Sequence, residues 1–186
     1  MKTCKAQSCR QKFEPWNSLQ KACSVECSLE VARQEQQDKE KRQIEAARKA
    51  DRQRLDELKP RAKHLKEAQQ AFNTYIRERD RDQPCISCGT YRAGQFHAGH
   101  YRTTKAAAEL RFNELNCQKQ CAQCNTFDSG NIIEYRINLI QRIGQANVEW
   151  LEQQHEPKHY TIEDLKAIKA HYRRLTRELQ KEREAA

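Results

Sequence analysis

Two cysteine pairs, Cys85-Ile-Ser-Cys88 and Cys121-Ala-Gln-Cys124, constrain what this chain can fold into more than any other feature. Each C-x-x-C places two thiolates on one side of a tight turn, and Pro84 and Gly89 frame the first pair with turn formers. Two such knuckles supply the four thiolates that Zn²⁺ takes in a closed tetrahedral site. A redox C-x-x-C would need a surrounding βαβ pattern, which is missing here. A second set, Cys4, Cys9, Cys23 and Cys27, brackets Phe13, Pro15 and Trp16 and reads as a small N-terminal zinc finger. The ninth cysteine, Cys117, either replaces one member of the zinc set or packs inside as a small apolar residue. An odd number of cysteines does not close a disulfide set. No stretch resembles a signal peptide or spans a bilayer, so the thiols are expected in a reducing compartment.

Metal sites also answer a shortage of core. Charged residues make up 33% of the 186 positions, and the mean hydropathy is −1.11. Such a chain folds as small modules and solvated helices, with metal binding contributing folding free energy directly. Residues 33–43 contain no apolar side chain, and their Gln, Glu, Lys and Arg are helix formers. Pro60 ends that helix. The expected organisation is an N-terminal Cys4 finger over residues 1–27, a charged helical linker over 28–60 and a second domain over 61–186.

Within the second domain, Leu65, Ala68, Phe72, Tyr75 and Ile76 recur at helical spacing, as do Ile133, Ile137 and Ile140. Gly144 is placed to stop the latter helix. A last helix starts near Thr161, with Asp164 in capping-box spacing and an apolar face from Ile162, Leu165, Ile168, Tyr172, Leu175 and Leu179. Lys166, Lys169, Arg173 and Arg177 crowd its other side, either as a solvated face or as contacts to a DNA backbone. The net charge of +9, from 35 Lys and Arg against 26 Asp and Glu, favours a polyanionic partner, with nucleic acid first. The fold class is mainly α, with a small β-hairpin near residues 90–102.

That hairpin carries Phe96-His-Ala-Gly-His-Tyr101, between the two knuckles. Asn116 precedes the second knuckle by five residues and Asn125 follows it directly. His100, Asn116 and Asn125 in order give the signature of HNH nucleases. The run from Cys85 to Asn131, with Asn116-Cys-Gln-Lys-Gln-Cys121 and Ser129-Gly-Asn131, resembles the zinc-bearing HNH endonucleases. More closely, it is similar to the NinG (Rap) recombination nucleases of lambdoid phages, over nearly the full length.

The resemblance implies a ββα-metal core and a DNA endonuclease acting in the host cytoplasm on Holliday junctions and D-loops. A homodimer would suit the cutting of two strands. A neutral His100 would take a proton from the attacking water. Asn116 would hold the loop that orients His100, and Asn125 would be an oxygen ligand to a catalytic Mg²⁺ or Mn²⁺. Many HNH enzymes carry an acidic ligand directly before the base, where this chain has Gly99. His97 is therefore expected as the replacement ligand, with Asp128 or a phosphate oxygen in its place if His97 is structural. The competing reading is a zinc-containing DNA-binding or adaptor protein without catalysis.

Overall fold

A computed structural model describes residues 1–185. The chain divides into two compact units, Met1–Lys59 and Pro60 onward.

In the first unit, strands β1 (Lys2–Thr3) and β2 (Lys12–Phe13) form an antiparallel ribbon with Lys2 opposite Phe13 and Thr3 opposite Lys12. Helix α1 (Val25–Glu57) starts inside the cysteine cluster: the Ser24 side chain caps it by accepting from the Cys27 backbone N–H at 3.2 Å. Its 33 residues bury only Val31, so the helix rests on helix propensity and on side-chain pairs four apart, such as Gln34–Asp38 and Gln36–Glu40. The small core is Cys4, Ala6, Ala22 and Val31, with Cys9, Phe13, Cys23 and Cys27 packed against it. Half of that list is cysteine.

In the second unit, Pro60 stands as the N-cap of α2 (Arg61–Arg79). This is where a proline ends one helix and tolerates the start of the next. Strands β3 (Phe96–His100) and β4 (Cys117–Cys121) pair antiparallel, with His97 opposite Gln120, Gly99 opposite Gln118 and His100 opposite Cys117. The expected hairpin over 90–102 is thus corrected: the histidine strand takes its partner from the second knuckle, across a loop of residues 101–116. Then come a π-helical turn at Gln123–Phe127, α3 (Ile132–Ile143), α4 (Gln145–Glu152) and α5 (Ile162–Glu184). Gly144, at φ 84°, ends α3 and begins α4, a left-handed position that costs glycine nothing. The Thr161–Asp164 capping box is formed at the start of α5.

The architecture is mainly helical with two small antiparallel ribbons. Helices α2 and α5 pack lengthwise through Phe72, Tyr172, Ala68 and Leu165, and α2 also covers Cys117 of β4. Tyr135, Leu139, Val148 and Leu151 of α3 and α4 close a second core over Ile86, Tyr101 and Leu110. Of the stripe expected on α3, Ile140 packs against this core but Ile133 and Ile137 do not. Ile133 is 76% exposed and Ile137 48%, while Tyr135 and Leu139 are fully buried. Glu134, Asn138, Gln141 and Arg142 form the polar face of this helix, and the buried face is turned toward Tyr135 and Leu139, which the isoleucine spacing leaves out. The Tyr135 hydroxyl donates to the Gly99 carbonyl at 2.8 Å.

The C-terminal end of α2 is fastened to β4 by Arg79 and Asp80. The Arg79 guanidinium donates to the Asp80 carboxylate at 2.7 Å and to the carbonyls of Cys117 and Glu114. Asp80, 5% exposed, accepts the Lys119 N–H at 2.9 Å. No helix among the described residues is long and apolar enough to cross a membrane.

Candidate metal centres and histidine–asparagine site

The eight cysteines of the two sets form two clusters, Cys4, Cys9, Cys23, Cys27 and Cys85, Cys88, Cys121, Cys124, each with sulfur atoms within 4.8 Å of one another. Zn–S bonds of about 2.3 Å in a tetrahedron put the sulfurs roughly 3.8 Å apart. Here Cys9–Cys23 is 3.5 Å, Cys23–Cys27 is 3.7 Å and Cys88–Cys121 is 3.8 Å. Those separations are far beyond a disulfide bond of about 2.0 Å and fit a four-thiolate ion site. Backbone N–H groups already point at the sulfurs: Cys121 to Cys85 at 3.3 Å and Cys124 to Cys121 at 3.5 Å. At Cys4, burial pushes the thiol up. The N–H groups of Cys23 and Ala6 and the neighbouring thiols outweigh it and draw the thiol down to about 7. Cys117 belongs to neither cluster. It is fully buried against Phe72 and Ile76, and burial holds it as a neutral thiol.

Strand β4 runs straight into the second knuckle at Cys121, and β4 positions the histidines. Alternation along β3 puts His97 and Gly99 on one face of the ribbon and His100 on the other. On the first face, His97 Nδ1 lies 3.0 Å from the Asn125 side-chain amide. Both side chains are partly buried. Gly99 makes their approach possible, because a Cβ there would sit 2.1 Å from Gln120 Oε1 and 3.1 Å from Asn125 Oδ1. Gln120 cannot retreat cheaply: its amide donates to Ser87 Oγ at 2.7 Å and to the Gly130 carbonyl at 2.6 Å. Gly130 lies in a turn whose successive residues Ser129, Gly130 and Asn131 all have positive φ. Asp128 is exposed, and its carboxylate accepts from Gln123.

On the other face, His100 Nε2 meets the Arg111 carbonyl at 2.9 Å, which requires that nitrogen to carry the hydrogen. Nδ1 then holds the lone pair, 3.6 Å from the Cys117 sulfur. Phe72 packs beside the ring at a centroid distance of 5.9 Å. Burial holds the His100 imidazolium below its usual range, against the opposing pull of the Arg111 carbonyl. The loop that supplies this carbonyl is tied by Asn116, which is fully buried. Its amide accepts from Arg102 N–H at 2.8 Å and donates to the carbonyls of Arg102 at 2.9 Å and Leu110 at 3.3 Å.

The structure therefore brings His97 to Asn125, and links His100 to Asn116 through the loop. Sequence reasoning missed Gln120, Tyr135 and the Arg79–Asp80 pair. Gln120 and the Arg79–Asp80 pair belong to no spacing pattern and matter through partners distant in sequence, whereas Tyr135 stands four residues before Leu139 on the buried face of α3. Of the basic residues on α5, Lys166, Arg173 and Arg177 are exposed, whereas Lys169 pairs with Glu67 of α2 at 2.5 Å.

The family model described as "Bacteriophage Lambda NinG protein" matches residues 1–182. Protein ninG of Escherichia phage lambda is 46% identical, over 98% of this chain and 95% of its own length. Protein ninG of Salmonella phage P22 is 45% identical over 98% and 96%, and that of Escherichia phage 933W 43% over 98% and 96%. No solved structure matches. A family model that spans both cysteine clusters, with full-length relatives behind it, means that this chain belongs to the NinG family of lambdoid phage proteins.

Proposed function

We propose that the chain is an HNH-type endonuclease that hydrolyses phosphodiesters in branched DNA, with zinc in both cysteine clusters and Mg²⁺ or Mn²⁺ at the histidine–asparagine site. The observation that carries this reading is the His97–Asn125 approach over Gly99. The Asn125 amide nitrogen faces His97 Nδ1; with that amide turned over, its oxygen and an imidazole nitrogen would offer two ligands to a divalent ion. A bound ion would neutralise charge on the scissile phosphate and on the leaving 3′ oxygen.

The chain's own residues do the rest. Arg111 fixes the His100 tautomer, which leaves Nδ1 as the nitrogen that would take the proton from attacking water. Nδ1 faces buried Cys117 on the ribbon face opposite His97 and Asn125, so this step requires the end of β3 to rearrange when DNA binds. The water oxygen bonds to phosphorus, the bond from phosphorus to the 3′ oxygen breaks, and solvent returns a proton to that oxygen. The products are a 5′-phosphate and a 3′-hydroxyl. Asn116 acts on His100 only through the loop. Exposed Lys166, Arg173 and Arg177 supply charge to hold a phosphate backbone. Recombination intermediates such as Holliday junctions and D-loops are the substrates that the family resemblance suggests. Work in the host cell and pairing of two subunits belong to the same proposal.

One observation favours a non-catalytic, zinc-containing DNA-binding role instead: both ring nitrogens of His100 already have neighbours, Arg111 O and Cys117 Sγ. The deciding experiment is cleavage of a labelled four-way junction and a matched linear duplex by the full chain, in EDTA, Mg²⁺ and Mn²⁺, beside His100→Ala. Metal-dependent junction cleavage that dies with His100→Ala supports the nuclease. Junction binding without cleavage under any metal leaves the DNA-binding role.

A further inference from the structure

The most exposed large ring in the molecule is that of Trp16, 88% exposed in the loop between β2 and α1, with Leu19 85% exposed beside it in sequence. An indole in that position offers a large flat apolar face to whatever approaches the loop. The loop that presents it is held by its own polar side chains. The Trp16 backbone N–H donates to Gln20 Oε1 at 3.0 Å, the Leu19 and Gln20 backbone N–H groups donate to Asn17 Oδ1 at 2.9 Å, and the Gln20 side-chain amide donates to the Ala22 carbonyl. Lys2, paired with Phe13 across the ribbon, reaches the same loop through the Ser18 carbonyl at 2.5 Å. The surroundings are basic. In residues 1–24, Lys2, Lys5, Arg10, Lys12 and Lys21 stand against Glu14 alone, and all five are exposed. Lys21 pairs with Glu35 of α1.

We infer that the N-terminal unit binds single-stranded DNA, with Trp16 as a stacking platform for an unpaired nucleobase and Lys2, Lys5, Arg10 and Lys12 around the phosphates. A flat, exposed indole on a loop held by its own hydrogen bonds, in a cationic field, satisfies both needs of a single strand, a π-face for the base and charge for the backbone. In a duplex the base faces are already stacked on one another, so the same loop finds only phosphates there. Branched substrates expose unpaired bases, so this inference rests on the DNA reading above, although it uses none of the residues of the histidine–asparagine site.

The test uses tryptophan fluorescence of the full chain. Trp150→Phe leaves Trp16 as the single indole. Titration with oligothymidylate is expected to quench that emission, with a midpoint that rises steeply with salt, and a duplex of equal length is expected to quench far less. Trp16→Ala should weaken oligothymidylate binding by about tenfold or more, with Trp16→Phe between the two. Quenching is read without cleavage, so an inactive nuclease that still quenches would sink the catalytic proposal and keep this one. Absence of quenching in the zinc-replete Trp150→Phe protein overturns the inference, as does equal quenching by duplex. Self-association that falls with Trp16→Ala while oligonucleotide affinity does not would assign the loop to a second copy of the chain and overturn it too.

Discussion

The Asn116 amide donates to the Leu110 carbonyl at 3.3 Å, one residue before the carbonyl that receives His100. A buried side chain thereby sets the position of a catalytic candidate it does not touch. Asn116→Ala leaves the Arg102 N–H and two carbonyls without their partner. The cost is about 2–4 kcal/mol, from unsatisfied buried groups and lost packing. Urea unfolding of the variant should show that loss with zinc content unchanged, and its cleavage should fall even where it is fully folded. A variant of unaltered stability and rate would remove Asn116 from the support of His100.

His100→Ala should abolish cleavage while zinc content and junction binding stay near those of the parent. The pH profile adds a separate readout. Burial disfavours the His100 imidazolium, so its folded-state pKa lies below the ordinary value of about 6.5. The base is neutral above that folded-state pKa and is lost as pH falls through it. Single-turnover rate is therefore expected to hold level as pH drops through 6.5 and to decline only further down. A decline centred above about 6.5 contradicts the assignment.

Gly99→Ala and Gly94→Ala should differ sharply. At Gly94 a Cβ meets nothing within 4 Å, whereas at Gly99 it strikes Gln120 Oε1. Overpacking of a filled site costs on the order of 1–3 kcal/mol. The expected result is a destabilised Gly99→Ala protein with little cleavage, beside a Gly94→Ala protein like the parent. Equal melting curves would mean that the ribbon face is looser than its contacts indicate.

Metal analysis should find two zinc ions per chain, one for each cluster. Cys121→Ser and Cys27→Ser should each remove one. Limited proteolysis should then separate them, because Cys121→Ser loosens the unit from Pro60 onward and Cys27→Ser the unit before it. Two zinc ions retained in either variant would contradict that ligand set.

Double replacement of Arg173 and Arg177 by Gln should weaken DNA binding and lower the slope of log affinity against log salt by about 2. Lys169→Gln should change that slope less, since its ammonium is engaged by Glu67.

What the sequence makes legible here follows from local chemistry. Cysteine spacing locates both clusters because knuckles are local turns, and Thr161 with Asp164 marks a helix start for the same reason. The α5 stripe is readable because Leu165 and Tyr172 share a helix face that polar residues flank. The α3 face is misjudged when only the isoleucines are counted; Tyr135 and Leu139, four residues apart on the flank of the same apolar arc, are the side chains that bury, and the Tyr135 hydroxyl reaches the Gly99 carbonyl. The pairing of β3 with β4 spans a loop that no turn signal announces. His97 and Asn125 are suggestive as residue types, but their 3.0 Å approach depends on Gly99 and on the anchoring of Gln120.

Strand β4 is five residues long, beginning at Cys117, which faces His100, and ending at Cys121, a member of the second cysteine cluster. In a two-stranded ribbon, a slip of one residue turns every side chain to the opposite face. An ion gripping Cys121 would forbid that slip, so the knuckle acts as a pin on the phase of the ribbon. Removing the metal would then blunt the site by letting the strand creep in register, before the helices around it have begun to melt.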